Sequence, residues 1–126
     1  MNVLLDTCAL LALADGKLPA APAAALRQAP EAFVSVVSPW EVAIKAAGDK
    51  LQLQDPPAQW FRRLADRYEL REVHLDAAIA CAAAALPPIH RDPFDRIIVA
   101  LAAAHGLTVL TSDEHIRQYA GVSTLW

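Results

Sequence analysis

Glycine supplies only 4 of the 126 residues, which leaves no loop able to cradle phosphate through bare backbone. No GxGxxG and no Walker-type sequence is present, so nucleotide binding of that kind is excluded. The lack of GxSxG removes the nucleophile-elbow hydrolases. Cysteine occurs twice, as Cys8 and Cys81, with no CxxC and no metal-ligand spacing. Both fall in apolar helical patterns and are expected to be reduced, buried thiols. His74, His90, His105 and His115 show no ligand spacing either. A net charge of −3 gives no footprint for coating nucleic acid. The apolar start "MNVLLDTCALLALADG" has no basic leader and is broken by Asp6. Neither a signal peptide nor a membrane span is expected, and a cytoplasmic protein is. No repeat or linker divides the chain, so one domain over residues 1–126 is expected.

What is abundant is apolar surface, at 56% of residues, much of it alanine. Alanine favours helix and close helix packing, and the excess points to a homodimer or another partner interface. Short β-branched runs alternate with helical patterns. "NVLL", "AFVSVVS", "REVHL" (with His74), "LTVLT" and "VSTLW" read as strands. Helices are expected from Asp6 to near Gly16, over "PAAPAAALRQA", over "WEVAIKAAG" to Gly48, and over "AQWFRRLADRYEL". Others are expected over "DAAIACAAAAL" and "DPFDRIIVALAAAH", with a short one over "DEHIRQYA". Strands separated by helices imply crossovers, hence a three-layer α/β/α sandwich with a central, mainly parallel sheet.

In such a sheet, strand C-termini and helix N-termini share one edge, where ligands bind. Asp6 follows the first strand and Asp113 follows "LTVLT"; Glu41 and Asp95 occupy first helical turns in "SPWE" and "DPFD". Each acid has a structural reading as a helix cap or loop residue. Ser38 and Glu41 form a good capping box, and Asp92 with Pro93 starts a helix well. Together, though, four carboxylates at one edge repel unless protonated or neutralised. Clustered hard oxygen donors suit Mg²⁺ or Mn²⁺, which also bind substrate phosphate. His90 lies near enough to touch substrate, although lone histidines usually have structural roles.

The segments "VLLDTCALL", "SPWEVAIKAAGDKL", "HRDPFDRIIVALAAAHG" and "VLTSDEHI" resemble, in order over nearly the whole chain, the PIN-domain nucleases, and among them the VapC-like ribonuclease toxins. That resemblance implies a Mg²⁺-dependent endoribonuclease acting on RNA, leaving 5′-phosphate and 3′-hydroxyl ends, and a cognate antitoxin protein. It places the four catalytic and metal-holding acids on Asp6, Glu41, Asp95 and Asp113, with Asp92 as an additional acid that caps its helix. Thr7 and Ser112 match small polar residues flanking the acids. Leu101 departs from the pattern, where this subgroup often carries glutamine.

Arg91 and Arg96 are then candidates for phosphate contacts or for ion pairs with the acids. Arg62, Arg63 and Arg67 form a basic helix face that is either solvated or guides RNA. Two other functions fit less of the sequence. A Mg²⁺ phosphatase with Asp6 as nucleophile expects an acid at position 8, which is cysteine, or a late lysine, which is missing. A non-catalytic interaction module would use all four acids as caps and respond to neither metal nor RNA.

Overall fold

The computed structural model describes residues 1–126. In chain order the elements are β1 (Val3–Leu5), α1 (Thr7–Ala14), α2 (Ala20–Gln28), β2 (Ala32–Ser35), α3 (Val37–Ala47) and α4 (Pro57–Tyr68). They continue with β3 (Leu70–Val73), α5 (Ala77–Ala85), α6 (Pro93–His105), β4 (Thr108–Leu110), a one-turn 3₁₀ helix (Ile116–Gln118) and β5 (Thr124–Leu125). The five strands form one sheet in the order β3-β2-β1-β4-β5, with every pairing parallel.

Strand alternation explains the layers. Val3, Leu5, Val34 and Leu110 face one side and pack with Leu10 and Leu13 of α1, Ala25 of α2 and Leu64 of α4. Leu4 and Val109 face the other side, with Ile79 and Ala83 of α5 and Ile98, Val99 and Leu101 of α6. The chain first builds outward from β1 to β3, then returns across the sheet to place β4 on the other side of β1. Right-handed crossovers then send the later helices to the opposite face. The reversal lies between β1 and β4, where an open parallel sheet leaves a crevice.

The apolar residues of α4 recur at helical spacing and are what the core receives: Leu64 is buried, and Trp60, Phe61, Ala65 and Tyr68 pack beside it. Arg62, Arg63 and Arg67 point outward; Arg63 pairs with Asp55 at 3.2 Å and Arg67 lies over the Tyr68 ring. Leu101 is fully buried, so the position departing from the family pattern serves packing.

Several local expectations fail for identifiable reasons. The strand expected to reach Ser38 stops at Ser35, whose hydroxyl accepts the Val37 N–H at 3.2 Å and turns the chain early. The helix expected over "DEHIRQYA" shrinks to the single 3₁₀ turn, and His74 falls just beyond β3. Cys8 and Cys81 are both exposed. Alanine-rich helices look apolar all round, yet only one side of each faces the sheet: Ala9, Leu10 and Leu13 in α1, Ile79 and Ala83 in α5.

The link from α5 to α6 is held by Arg96. Its Nη1 donates to the carbonyls of Pro87 (3.1 Å) and His90 (3.0 Å), and its Nη2 to those of Ala84 (3.2 Å) and Leu86 (2.8 Å). These four bonds go to backbone, and the carboxylate pair considered for Arg96 is not formed. Tyr119 adds to the hold: its hydroxyl donates to Pro87 O and accepts the His90 N–H at 2.9 Å. Arg96→Ala is expected to cost about 2 kcal/mol or more by stranding these acceptors. Arg96→Lys should recover less than half, since an ammonium cannot fork across them. Urea unfolding of the three proteins checks this; equal stability of Arg96→Lys and wild type would contradict it.

Candidate functional site

Asp6 and Thr111 end the adjacent strands β1 and β4, at the sheet's reversal. Asp6 caps α1, its Oδ1 accepting the Ala9 N–H at 2.8 Å, while its Oδ2 accepts the Thr111 hydroxyl. The Thr111 oxygen also accepts the Asp113 N–H at 3.0 Å, which ties two acids to one threonine. Asp113 in turn accepts the N–H groups of His115 and Ile116 at 2.8 and 2.9 Å. Thr111, read from sequence only as a strand residue, is therefore the polar neighbour of Asp6. Ser112, suggested for such a role, is exposed and makes no side-chain hydrogen bond.

Thr7 is buried and donates to Ser38 Oγ at 3.1 Å, which joins α1 to α3. That bond corrects the capping box. Because Ser35 starts the turn, α3 begins at Val37, Ser38 lies inside the helix, and no side chain caps it. Glu41 consequently sits beyond the first turn, where no acid is found. Its Oε2 meets Lys45 Nζ at 3.2 Å, and its Oε1 is buried with no hydrogen-bond partner.

The start of α6 behaves as expected. Asp92 caps the helix, its Oδ1 accepting the Phe94 N–H at 2.9 Å; Pro93 is in the first turn, and Asp95 follows there. Phe94 meets Trp40 of α3 edge-on with ring centroids 5.0 Å apart, so the aromatics of "SPWE" and "DPFD" pack together. His90 occupies the centre. Its Nε2 lies 3.0 Å from Asp95 Oδ2 and 3.2 Å from Asp113 Oδ2. Sequence spacing gave little sign of this, because Asp113 comes from a segment far from His90 and Asp95.

Electrostatics record the crowding. Burial is the largest cause pushing Asp6 up to about 6, and the charges of Asp113 and Glu41 add to it against the bonds from Thr111 and Ala9. Asp95 is pushed up to about 7, first by burial, then by Asp92, with Asp6 and Asp113 contributing and His90 opposing. Asp113 differs. Burial would raise it, but the Ile116 N–H, His90 and the His115 N–H together hold it below its ordinary value. Asp6, Glu41, Asp95 and Asp113 thus share one electrostatic neighbourhood. All four offer hard oxygens, and Glu41 Oε1 is an acceptor that the protein itself leaves unsatisfied. Such a donor set fits a divalent cation of the Mg²⁺ type better than a thiolate- or imidazole-seeking metal.

Comparison with known proteins gives the same arrangement a context. The PIN domain family model matches residues 3–122. Ribonuclease VapC22 of Mycobacterium tuberculosis is 34% identical over 104 residues, covering 82% of this chain and 78% of that protein. A chain of the VapBC2 crystal structure from Rickettsia felis, bound to a promoter DNA fragment, superposes with TM-score 0.74 at 12% identity, covering 99% of this chain and 98% of that one. A chain of a toxin–antitoxin complex from Klebsiella pneumoniae superposes with TM-score 0.69 at 24% identity, covering 97% and 96%. These two structural likenesses establish the shared fold.

The raised carboxylates make a stability prediction with a definite sign. The folded protein takes up protons on Asp6 near 6 and on Asp95 near 7, whereas an unfolded aspartate waits until about 3.8. Stability without metal should therefore rise as pH falls from about 7 towards 4. Asp113 shifts the other way, and the stability it contributes is lost only at lower pH. Melting temperatures in chelator should climb by several degrees from pH 7.5 to pH 5, and climb less in Asp6→Asn. A flat wild-type profile would contradict the shifts.

Proposed function

The chain belongs to the PIN domain family, and from that premise we propose that it is a Mg²⁺-dependent endoribonuclease, the toxin of a toxin–antitoxin pair. Mn²⁺ is the alternative ion. RNA is the substrate, the cytoplasm the place of action, and a cognate antitoxin and a second copy of the chain the protein partners. One observation carries the reading: Glu41 Oε1, buried and unpartnered, stands in the same neighbourhood as Asp6, Asp95 and Asp113. A helix cap would have its oxygens satisfied by backbone N–H groups; this one has none.

Asp6, Glu41, Asp95 and Asp113 would hold the cation. When bound, it supplies Lewis acidity towards a phosphodiester oxygen and lowers the pKa of a water. The protein's own groups set the stage for that chemistry. Thr111 and the Ala9 N–H fix both oxygens of Asp6, so its carboxylate is aimed before any ligand arrives. Asp95, held up to about 7 by burial and neighbouring charge, is a carboxyl whose ionised form a nearby cation would favour. Thr7 and Ser38 lock α1 to α3 and so keep Glu41 in register with Asp6.

The phosphatase alternative fits poorly, because the second acid it needs two residues after Asp6 is replaced by Cys8. Association is supported by Val36, just before α3, and Trp40 and Ile44 within it, exposed apolar side chains spaced four residues apart. No helix is long and apolar enough to cross a membrane.

Purified protein should cleave single-stranded RNA in millimolar Mg²⁺ and stop in chelator. Asp95→Asn should lose at least about 100-fold in rate, the scale of a metal's contribution to charge stabilisation. Activity that persists in chelator, or in Asp95→Asn, would reject the reading. The same site makes a second prediction for folding. Mg²⁺ should raise the wild-type melting temperature, because it binds only the folded site. Asp6→Asn should abolish cleavage, match or exceed the metal-free wild type in stability, and gain little from Mg²⁺. Equal Mg²⁺ shifts in the two proteins would remove Asp6 from the site.

A further inference from the structure

His90, Asp113 and His115 each place one ligand atom within 4.8 Å of the others, so at first sight they form a histidine-rich metal triad. The hydrogen bonds of His90 argue otherwise. Its Nδ1 receives the Asp92 backbone N–H at 3.1 Å. A backbone N–H can only donate, so Nδ1 must accept, and the ring proton belongs on Nε2. A protonated Nε2 has no lone pair for a metal. What it does have is a donor, placed 3.2 Å from Asp113 Oδ2 and 3.0 Å from Asp95 Oδ2.

We propose that His90 is a positioning residue: its Nε2–H stands between Asp95 and Asp113 and holds these two carboxylates together for a cation that His90 itself does not ligate. The inference rests on the reading of the four acids as a cation site and extends it to a residue outside that set. The ring's place is over-determined. Arg96 holds the His90 carbonyl, the Tyr119 hydroxyl takes its N–H, and Asp92 fixes Nδ1. Three contacts on backbone and ring thus aim one N–H at Asp113, after β4, with Asp95, at the start of α6, 3.0 Å from the same nitrogen. A carboxylate so held loses less freedom on binding a cation, and like charges that would spread apart stay close.

The test compares wild type, His90→Ala and His90→Gln, since the glutamine amide nitrogen can take the place of Nε2 as a donor. Mn²⁺ affinity, read by electron paramagnetic resonance of the free ion, should fall about 10-fold or more in His90→Ala, the cost typical of losing a partner behind a metal ligand. His90→Gln should restore most of it. In nitrogen-detected NMR, His90 should show a protonated Nε2 and an unprotonated Nδ1, and should keep that pattern with saturating Mg²⁺. Unchanged or tighter Mn²⁺ binding in His90→Ala overturns the proposal, because the ring would then be idle or a plug. Failure of a folded His90→Gln to restore binding, or loss of the Nε2 proton on metal addition, overturns it in favour of a ligand role; thermal melts establish folding. These readouts do not depend on RNA cleavage, so a protein that binds Mn²⁺ as described without cutting RNA would reject the nuclease reading alone.

Discussion

The parallel register of Val3, Leu4 and Leu5 against Thr108, Val109 and Leu110 brings together the two strand ends on which the site is built. β1 and β4 are separated by most of the chain, and their pairing closes the return crossover of the sheet. It sets Asp6 beside Thr111, and through Thr111 it sets Asp6 beside Asp113. The core on both faces enforces this register. A slip of one residue would turn Leu4 and Val109 towards the helices now packed on Leu5 and Leu110. Apolar packing thereby fixes the relative positions of charged groups that would otherwise move apart.

Those groups sit at a cost that the fold meets by local hydrogen bonding rather than by pairing each acid with a base. Asp6 is buried and receives one backbone and one hydroxyl donor; Asp113 receives two backbone donors and faces His90. Lys45 takes one oxygen of Glu41 and leaves the other unpaired. Arg96, the arginine nearest in sequence to Asp95, turns its guanidinium to backbone carbonyls instead. Asp6 is therefore oriented by neutral donors, while Glu41 keeps one oxygen outside its ion pair with Lys45. Satisfying a carboxylate with neutral donors leaves its charge available, where an ion pair would offset it.

The two segments "SPWE" and "DPFD" show how far a repeated motif carries. Both combine a small polar residue, proline, an aromatic and an acid, and both deliver their acid to the same edge. Their local structures differ. Asp92 is a true cap with Pro93 behind it, so Asp95 falls in the first turn. Ser38 is drawn inside α3, because Ser35 has already turned the chain, and its hydroxyl is taken by Thr7. Glu41 lies further along its helix, and Trp40 meets Phe94 edge-on between the two helices.

Much of the protein was legible in the sequence, and the part that was has a common cause. Strand–helix alternation, the apolar residues of α4, the cap at Asp92 and the placement of Asp6, Asp95 and Asp113 follow from local periodicity and from the rule that strand ends and helix starts meet, whereas Glu41 lies beyond the first turn of α3. What stayed hidden depends on which neighbour a side chain finds. Alanine-rich α1 and α5 carry no polar face to say that Cys8 and Cys81 point outward. No spacing announces that Thr111 binds Asp6, that Arg96 gathers carbonyls, or that His90 stands between two acids. The Thr111–Asp6 and His90–Asp113 contacts join distant segments, and the Arg96 bonds cross the link between two helices. Sequence determined which residues could bear charge and where helices would begin. Tertiary packing decided which oxygens were satisfied and which, like Glu41 Oε1, were left without a partner, because hydrogen bonds form only between groups that the fold has already brought within about 3 Å.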